Sequence, residues 1–563
     1  MHFALSSLIR ACILGLGLLT CPVILLAQGG GQVHGNFNVD GQLYNDDEAI
    51  GAEKPPASFG LNAWTNLNFR NAAGNFDAGI RLESYEPAML GYPAGQSYKG
   101  TGLGYRYATF RKDGLEVTAG NFYEQFGQGL AFRAYEERYL GVDNAMDGVR
   151  VKFNPDTGIY LKGIIGTQRL AFSNGTVQGA GIVRGIDAEV SLVEAFPRFF
   201  PQLAERGNNL SIGGSFVSKF QPDQDPLLQL PENVGLWAAR ARYTNAKWDL
   251  YSEYAYKIND PNGSNRNIYK PGQALMANAT YSVRGLGISA GAHTYDNMLF
   301  QSDRYAPTLF DLNITYLPTL AKQHSYNLPA TLYPYATQAN GEVAYQGEVF
   351  YRFKRGSPLG GKYGTKLTLN WSGAWSLDST ALPQDTVRLR GYETRFFTMG
   401  QRPYFSDFNV EVRKKLSTNW ELALTYMNLV YDIEVVQGEA GHPVVYADMF
   451  ILEGLHNFSD RNSVRFELQQ LSTKQDHGHW ATALAEFTFS PHWFVAVMDQ
   501  YNYGGPLTTD EVHYPIGTFG YIRGGSRFSF SYGRQRAGIF CVGGVCRVVP
   551  AANGLAASIT TTF

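Results

Sequence analysis

The chain ends in Gly554-Leu-Ala-Ala-Ser-Ile-Thr-Thr-Thr-Phe563, a stretch that alternates with a period of two. One face of the predicted strand carries Leu555, Ala557, Ile559, Thr561 and Phe563, and the other face holds only Ala, Ser and Thr. An apolar outer face, a small polar inner face and a terminal aromatic residue are typical of the closing strand of a bacterial outer-membrane β-barrel. The C-terminus therefore predicts a protein of the cell outer membrane of a Gram-negative bacterium.

The N-terminus predicts export. After Arg10 an apolar run extends to Ala27, and a Gly-rich stretch follows. This is the pattern of a secretory signal peptide, so residues 1–27 are predicted to be removed and residues 28–563 to form the barrel. An N-terminal transmembrane helix is the disfavoured alternative, because the run is short for a span and no stop-transfer charges follow it.

Composition narrows the class of protein. The chain has 47 Lys and Arg against 49 Asp and Glu, a net charge of −2, so no nucleic-acid partner is predicted. A length of 563 residues favours several soluble domains, yet no Pro/Ser-rich linker or charge block divides the sequence. A single large barrel explains both observations.

Strand-like alternation recurs along the chain. In residues 32–44, for example, Val33 and Phe37 alternate with His34 and Asn38. The same pattern returns at residues 59–70, 76–83, 342–352, 407–413 and 464–469, with the charged residues on one face of each strand. A soluble β-sandwich would also alternate, so periodicity alone does not select the barrel.

The connections between strands discriminate between the two folds. Short ones, at 112–114, 155–158, 283–285, 459–462 and 524–526, alternate with long ones at 86–102, 125–147, 298–339, 376–404 and 537–553. Short periplasmic turns and long extracellular loops are the rhythm of an outer-membrane barrel. We therefore predict an all-β fold, a transmembrane antiparallel β-barrel of about 24 strands (range ~20–26), with both termini periplasmic.

Two further expectations follow from the strand pattern. The alternation starts within a few residues of Gln28, which predicts that no plug domain precedes the barrel. Aromatic residues that flank strands are expected to form interfacial girdles, for example Trp371, Trp375, Trp420, Tyr426 and Trp480.

The most specific local motif is Cys541-Val-Gly-Gly-Val-Cys546. A two-residue Gly-Gly hairpin turn would place Cys541 directly opposite Cys546, near the separation that a disulfide tolerates. Because the protein is predicted to be exported, a disulfide that stiffens an outer loop is favoured over a pair of free thiols or a metal site. Nearby, the outward face of the preceding strand would also carry Arg534 and Arg536 unless a bulge at Gly533 turns them inward.

The stretch 120–150 is too long for a plain turn and is dense in Gly, aromatic and charged residues. Porins fold such loops into the lumen, where opposed acids and bases set selectivity. The candidate constriction residues are Glu124, Arg133, Glu136, Glu137, Arg138, Asp143 and Asp147. The alternative is a structural loop whose charges pair among themselves.

Signals for catalysis or cofactors are weak. The histidines are scattered, and no phosphate-binding Gly loop is present, so no catalytic residue, metal or cofactor is predicted. Asp476-His-Gly-His479 could bind a metal but is more typical of a polar turn, and Asp223-Gln-Asp225 is a weak calcium pattern.

A family resemblance rests on three pieces of the sequence. The 120–151 stretch, the double-cysteine segment 531–550 and the Thr-rich end together resemble an uncharacterised family of Bacteroidota outer-membrane β-barrels, a domain of unknown function. The resemblance extends over nearly the whole mature chain. It implies fold and location and supplies no functional residues.

The leading functional hypothesis is a channel or porin-like protein for passage or binding of a solute of unknown identity. The alternative is a non-enzymatic barrel subunit of an envelope machine for secretion, assembly or surface display. An outer-membrane hydrolase is disfavoured by the scattered histidines. Expected partners are outer-membrane lipid and lipopolysaccharide, the barrel-assembly machinery during biogenesis, and envelope proteins.

Overall fold

The computed structural model describes residues 30–93, 98–308, 311–383, 388–506, 511–542 and 545–563, and the side chains of all of these except 540–547. The predicted signal peptide, residues 1–27, and the Gly543–Gly544 turn lie outside the described residues.

Among the described residues, one sheet contains 24 strands, each antiparallel to its neighbours in the chain. These strands are β1 Gly31–Asn45, β2 Phe59–Asn71, β3 Phe76–Tyr85, β4 Gly100–Lys112, β5 Leu115–Phe122, β6 Met146–Phe153, β7 Ile159–Phe172, β8 Thr176–Ser191, β9 Asn209–Phe220, β10 Asn233–Thr244, β11 Trp248–Lys257, β12 Gly272–Val283, β13 Leu286–Asp296, β14 Gly341–Phe353, β15 Thr365–Ala381, β16 Tyr392–Lys415, β17 Trp420–Asp432, β18 Val444–Asn457, β19 Asn462–Thr473, β20 Trp480–Phe489, β21 Trp493–Asn502, β22 Val512–Arg523, β23 Ser526–Gln535 and β24 Ala552–Thr562. The prediction of an all-β barrel with about 24 strands is confirmed.

The barrel closes where the last strand meets the first. β24 pairs with β23 on one side and with β1 on the other, so the sheet has no free edge. The backbone N–H of Phe563 donates to the carbonyl of Gly35 at 3.0 Å, and the reverse bond is 2.8 Å long. Leu555 and Phe563 are exposed on the outer wall, whereas Thr561 is buried there and donates its hydroxyl to Ser526.

The period of two separates an outer wall from a lumen. On β7, for example, Ile165 is 48% exposed, but its neighbour Ile164 is only 5% exposed. Large apolar side chains are exposed on the outer wall of many strands, among them Leu43, Ile186 and Phe530. An apolar outer band on a closed barrel is the arrangement that a lipid bilayer requires.

The two ends of the barrel differ. At the end that we call the turn end, connections such as 113–114, 284–285 and 524–525 are short, and both described termini lie there. At the opposite loop end, the long connections include 86–99, 123–145, 297–340 and 536–551. An even number of strands places both termini at the same end.

Helices in the described residues are short. They are α1 Leu192–Ala195 and α2 Pro201–Glu205 at the turn end, and α3 Asn327–Leu332 and α4 Ile433–Val436 at the loop end. Single 3-10 turns occupy Glu48–Ile50, Arg138–Leu140 and Gly263–Asn265. Within the part of the chain that the structure describes, no helix is long and apolar enough to cross a membrane.

The prediction of a long loop at 376–404 is wrong. β15 is 17 residues long and β16 is 24, so these two strands continue as a hairpin beyond their neighbours. The register shifts between Ala374 and Trp375 and again before Ser379, and such bulges disturb the alternation by which strands are recognised. The extension is held to β13, because the Tyr392 hydroxyl donates to Asp296 at 2.9 Å.

Candidate functional site

Two of the loop-end connections fold into the barrel. We call residues 123–145 the first lumen segment and residues 297–340 the second lumen segment. They contact each other, since the N–H of Arg133 donates to the carbonyl of Ile314 at 2.8 Å and the N–H of Tyr316 to Gly129 at 2.9 Å. Both pack against the inward face of the wall, so the lumen is not an empty pore.

Apolar packing holds the segments in the lumen. Phe126 and Phe132 of the first segment and Phe300 of the second are fully buried against inward residues of β6–β13. Leu328 and Tyr333 of the second segment lie in another buried cluster with residues of β14–β20. Full burial of each large apolar side chain contributes ~1.5–3 kcal/mol. The prediction that the barrel has no plug is therefore not confirmed, because the strand connections themselves occupy the lumen.

A buried cluster of charges fixes the first lumen segment to the wall. The side chain of Arg169 of β7 is 1% exposed and binds Glu83 of β3 at 2.7 Å and Asp143 of the segment at 3.0 Å. Arg81 of β3 lies between the same two carboxylates, at 2.7 Å from Glu83 and 2.5 Å from Asp143. Glu136 of the segment adds a 3.0 Å contact to Arg81. Because opposite charges alternate, each buried charge is compensated.

The balance of charge determines the state of Asp143. Burial by itself would raise the pKa of this carboxyl, but Arg169 and Arg81 outweigh burial and hold the pKa below its ordinary value. Asp143 is therefore ionised at neutral pH. Removing one partner from such a cluster costs ~3–5 kcal/mol, because an uncompensated charge is left in the interior.

Further polar contacts fix the tip and the base of the first lumen segment. Glu124 binds Lys152 at 2.8 Å and Lys162 at 2.9 Å, and Glu253 of β11 accepts the N–H of Gln128 at 2.9 Å. Arg133 is held between two rings, 4.4 Å from the centre of Tyr135 and 4.0 Å from that of Tyr316. Within the described residues of this loop, the alternative prediction, charges that pair among themselves, holds only for Arg138 with Glu136. Glu124 and Asp143 pair instead with charged side chains of the barrel wall.

The seven predicted constriction residues have different fates. Six of them belong to the first lumen segment. Glu124, Arg133, Glu136 and Asp143 make the contacts described above. Arg138 binds Glu136 at 2.9 Å, and Glu137 is half-buried beside them. The assignment of Asp147 to the lumen is wrong. Met146, the first residue of β6, is buried inward, so Asp147 faces outward and meets Arg106 at 3.2 Å.

The second lumen segment is fixed by residues that sequence reasoning did not connect. Lys219 of β9 donates to the carbonyl of Gln301 at 2.8 Å, and Lys257 of β11 donates to that of Leu299 at 2.5 Å. His324 of the segment binds Asp407 of β16 at 2.6 Å.

The C-terminal root of the second segment depends on a buried histidine–carboxylate pair. Glu342 of β14 lies 2.6 Å from His293 of β13 and accepts the hydroxyl of Tyr335 at 2.6 Å. Little in the sequence indicated this pair, because His293 and Glu342 lie on different strands, 49 residues apart, and belong to no common motif.

The connection between β23 and β24 turns inward at the loop end. Its backbone hairpin, Gly538–Val542 with Val545–Val549, lies beside α3 and beside the Arg138–Leu140 turn. Arg536 donates to the carbonyl of Thr331 at 2.8 Å, so the outward placement of Arg536 is wrong. No bulge occurs at Gly533, because β23 pairs with both neighbouring strands without a register shift and ends at Gln535. Arg536 therefore lies in the connection, where the alternation of the strand no longer sets its direction.

The prediction that Trp480 belongs to an interfacial girdle is also wrong. Trp480 is 2% exposed in the lumen and lies 5.4 Å from the Arg536 guanidinium. Arg534, by contrast, reaches Asp47 at 2.7 Å.

Oxidation of Cys541 and Cys546 stays a prediction. The backbone register places Cys541 opposite Cys546, and their side chains lie outside the described ones. We expect a disulfide in exported protein, with a modest local stabilisation because the closed loop is very short. Alkylation of the native protein without reductant, followed by mass spectrometry, measures it. Two labelled thiols would refute the disulfide.

The lumen segments leave space along one side of the barrel. Inward residues of β23 and β24 are small there, namely Ser529, Ser531, Ala556 and Ser558, and we call them the small-residue wall. Together with Asp40 of β1 they line a cavity of 230 Å³, which Arg138 and Tyr139 of the first lumen segment bound on the other side. Tyr139 is 69% exposed into this space.

A larger cavity of 450 Å³ lies at the loop end. It is bounded by Tyr135 of the first lumen segment, by several residues of the second, by Tyr404 of β16, and by residues 435–438 just after β17. Its lining combines aliphatic side chains, such as Leu299 and Val436, with tyrosines and carboxamides.

The two candidate metal-binding motifs gain no support in the described residues. No group of three or more His, Cys, Asp or Glu side chains in that part of the chain could hold a metal ion. Asp476 of the His-rich turn accepts the hydroxyl of Tyr333 at 3.0 Å, and Asp225 accepts the backbone N–H groups of Leu227 and Leu228. Both motifs therefore have structural roles.

Comparisons with known proteins add a family and a fold. A family model described as "Family of unknown function (DUF6029)" matches residues 9–563. A search of curated proteins found no match.

Several solved outer-membrane barrels are similar in structure. The P pilus usher PapC, described as a translocation pore, matches over 94% of this chain and 99% of its own, at 10% identity and a TM-score of 0.40. The siderophore receptor PirA from Pseudomonas aeruginosa matches over 94% and 80%, at 9% identity and a TM-score of 0.40. OccAB3 from Acinetobacter baumannii matches over 96% and 100%, at 8% identity and a TM-score of 0.34. At such low identity the likeness concerns the barrel fold alone.

Proposed function

Because the chain belongs to the DUF6029 family of unknown function, we propose its role from its geometry: it is a porin-like channel of the outer membrane for a solute. Two lumen segments fill most of the barrel, and solute passes along the small-residue wall.

One observation carries this proposal, the uneven filling of the lumen. Barrels with more strands than porins enclose more space than side chains can fill, and natural ones are plugged. Here the lumen segments bind wall strands from β3, through Glu136 and Arg81, to β21, through Asn327 and Gln500. The small-residue wall instead faces a cavity. Hydroxyl groups of Ser529, Ser531 and Ser558 offer hydrogen bonds to a passing solute, and their small size leaves room for it.

Narrowing this path is the first test. Ser531→Trp should lower the conductance of the purified protein in planar bilayers several-fold, because an indole would project into the 230 Å³ cavity. The matched control is Tyr532→Trp, since Tyr532 is the next residue on β23 and faces outward. Equal conductance of the two variants would contradict the proposed path.

Export and orientation are part of the proposal. The mature chain begins at Gln28, both termini are periplasmic, and the loop end faces the exterior. Support comes from the signal-like N-terminus and from the short connections at the turn end. Outer-membrane lipid, lipopolysaccharide and the barrel-assembly machinery are the proposed partners, the protein is not an enzyme, and an origin in Bacteroidota is proposed on the resemblance alone.

Fractionation and gel mobility test the location. We expect the mature protein in outer membranes, and we expect unheated samples to migrate differently from boiled ones in SDS gels, because closed barrels resist unfolding. Recovery of the mature protein from the soluble periplasm would refute the membrane location.

A second candidate function, a barrel subunit of an envelope machine, is favoured by one observation. Arg106 and Asp147 form an ion pair on the outer wall, beside the exposed Ile165 and Val149. A charged side chain facing lipid near the bilayer centre costs ~2–4 kcal/mol, so a protein partner in the membrane would explain the pair. Co-purification in mild detergent discriminates: a stoichiometric partner lost in Arg106→Leu supports the subunit, and a solitary conducting barrel supports the channel.

A further inference from the structure

We infer that the loop-end cavity is a binding site for a neutral, hydroxyl-rich solute of the size of one or two sugar rings. This inference rests on the proposed function, because it names the class of solute that the channel admits. The cavity volume of 450 Å³ lies within the ~300–1,000 Å³ range of small-molecule sites.

The first argument is the absence of charge. Among the described residues that line the cavity, none is Asp, Glu, Lys, Arg or His, although charged residues make up 17% of the chain. Arg133 contacts the rings of Tyr135 and Tyr316 but does not itself line the cavity. A charged solute would thus lose its hydration there without direct contact with an opposite charge, and this costs several kcal/mol. The lining therefore selects against charged solutes.

The second argument is the pairing of aromatic faces with amides. Tyr135, Tyr316 and Tyr404 present rings, and Gln338, Asn340 and Gln437 present carboxamides, each of which can donate and accept hydrogen bonds. A sugar ring has apolar C–H faces that pack on aromatic rings and peripheral hydroxyls that bond to amides. A purely apolar solute would leave the amides without partners.

One of these amides is held by a protein contact. The side-chain nitrogen of Asn340 donates to the carbonyl of Ser264 at 2.9 Å, which orients this carboxamide at the edge of the cavity.

The site is also pre-formed. Arg133 lies between the rings of Tyr135 and Tyr316, which meet edge to face at 5.7 Å, so both rings are held in place before any solute arrives. The N–H of Gln338 donates to Glu342 at 2.6 Å and fixes the opposite side of the cavity. Such rigidity reduces the entropy that binding must overcome.

The experiment is calorimetry on the full-length barrel in a detergent without a sugar headgroup. The probes are maltose for affinity, and glucose, glucuronic acid and glucosamine as one ring in neutral, anionic and cationic forms. We expect maltose and glucose to bind, and each charged ring to bind about tenfold more weakly than glucose. Failure of both neutral sugars to bind, or equal binding of the charged rings, would overturn the inference.

Variants locate the site. Tyr404→Ala and Gln437→Glu should each weaken maltose binding about tenfold. Gln535→Glu is the matched control, because Gln535 is exposed at the end of β23 and does not line the cavity. Unchanged maltose binding in Gln437→Glu overturns the inference even if Tyr404→Ala fails to fold. Conductance without sugar binding refutes only this inference, whereas sugar binding by a barrel that never conducts refutes the proposed channel.

Discussion

Excision of the second lumen segment should raise single-channel conductance several-fold, the largest effect that we expect from any change. The design is set by the backbone: the N–H of Met298 donates to the carbonyl of Ala339 at 2.9 Å, so the two ends of the segment are already neighbours. Replacing residues 299–338 with Asn-Gly would close β13 and β14 by a tight hairpin turn. The lumen would then lose Phe300, Leu328 and Tyr333, which pack against inward side chains of the barrel wall.

The control for excision is a connection outside the lumen. The same Asn-Gly replacement of residues 355–363, where Leu359 is 64% exposed at the turn end, should leave conductance unchanged. Heat-dependent gel mobility shows whether each variant is still a closed barrel. A folded excision variant that conducts no more than the native protein would show that something else fills the lumen.

Substitution of Arg169 by methionine is expected to have the second-largest effect. The variant leaves Glu83 and Asp143 without one of their two arginines in a buried site, at a cost of ~3–5 kcal/mol in the free energy of unfolding. Because Asp143 belongs to the first lumen segment, that segment should detach from the wall before the barrel unfolds. Denaturant titration in micelles measures the stability, and bilayer recording should show a several-fold rise in conductance.

Two variants make this prediction specific. Arg242→Met removes an ion pair with Asp249, but that arginine is 52% exposed, so we expect less than ~1 kcal/mol. Arg169→Met combined with Glu83→Met restores the charge balance around Arg81 and Asp143, and should recover most of the lost stability. If the double variant is as unstable as the sum of the single ones, the cluster does not act as a charge-balanced unit.

The barrel was predictable because its strands follow one rule throughout. Lipid on one side and a polar interior on the other impose a period of two, which residues such as Val33, Asn38 and Leu555 report directly. The rule failed where the period is broken and where a strand ends. The register shifts along β15 made residues 376–404 resemble a loop. Arg536 lies just beyond the end of β23 and turns inward with the connection that follows.

The filling of the lumen was predictable only in part. The density of Gly and charge in residues 120–150 indicated an inward loop, and six of the seven candidates do lie in the first lumen segment. Their partners did not follow from the sequence, because Arg169, Glu83 and Asp143 come from three separate parts of the chain and meet only in the closed barrel. The prediction for Asp147 was wrong because successive residues of a strand face opposite sides. Met146 faces the lumen, so Asp147, the next residue of β6, faces outward.

The most direct test is the effect of a charged thiol reagent on the conductance of Ser558→Cys. The variant is made with Cys541→Ser and Cys546→Ser, so that only the new thiol can react. Because Ser558 lines the 230 Å³ cavity, we predict that modification blocks most of the current. The same reagent should have no effect on Leu555→Cys, whose side chain faces outward on the same strand. Conductance that persists after Ser558→Cys has fully reacted would contradict a channel along the small-residue wall.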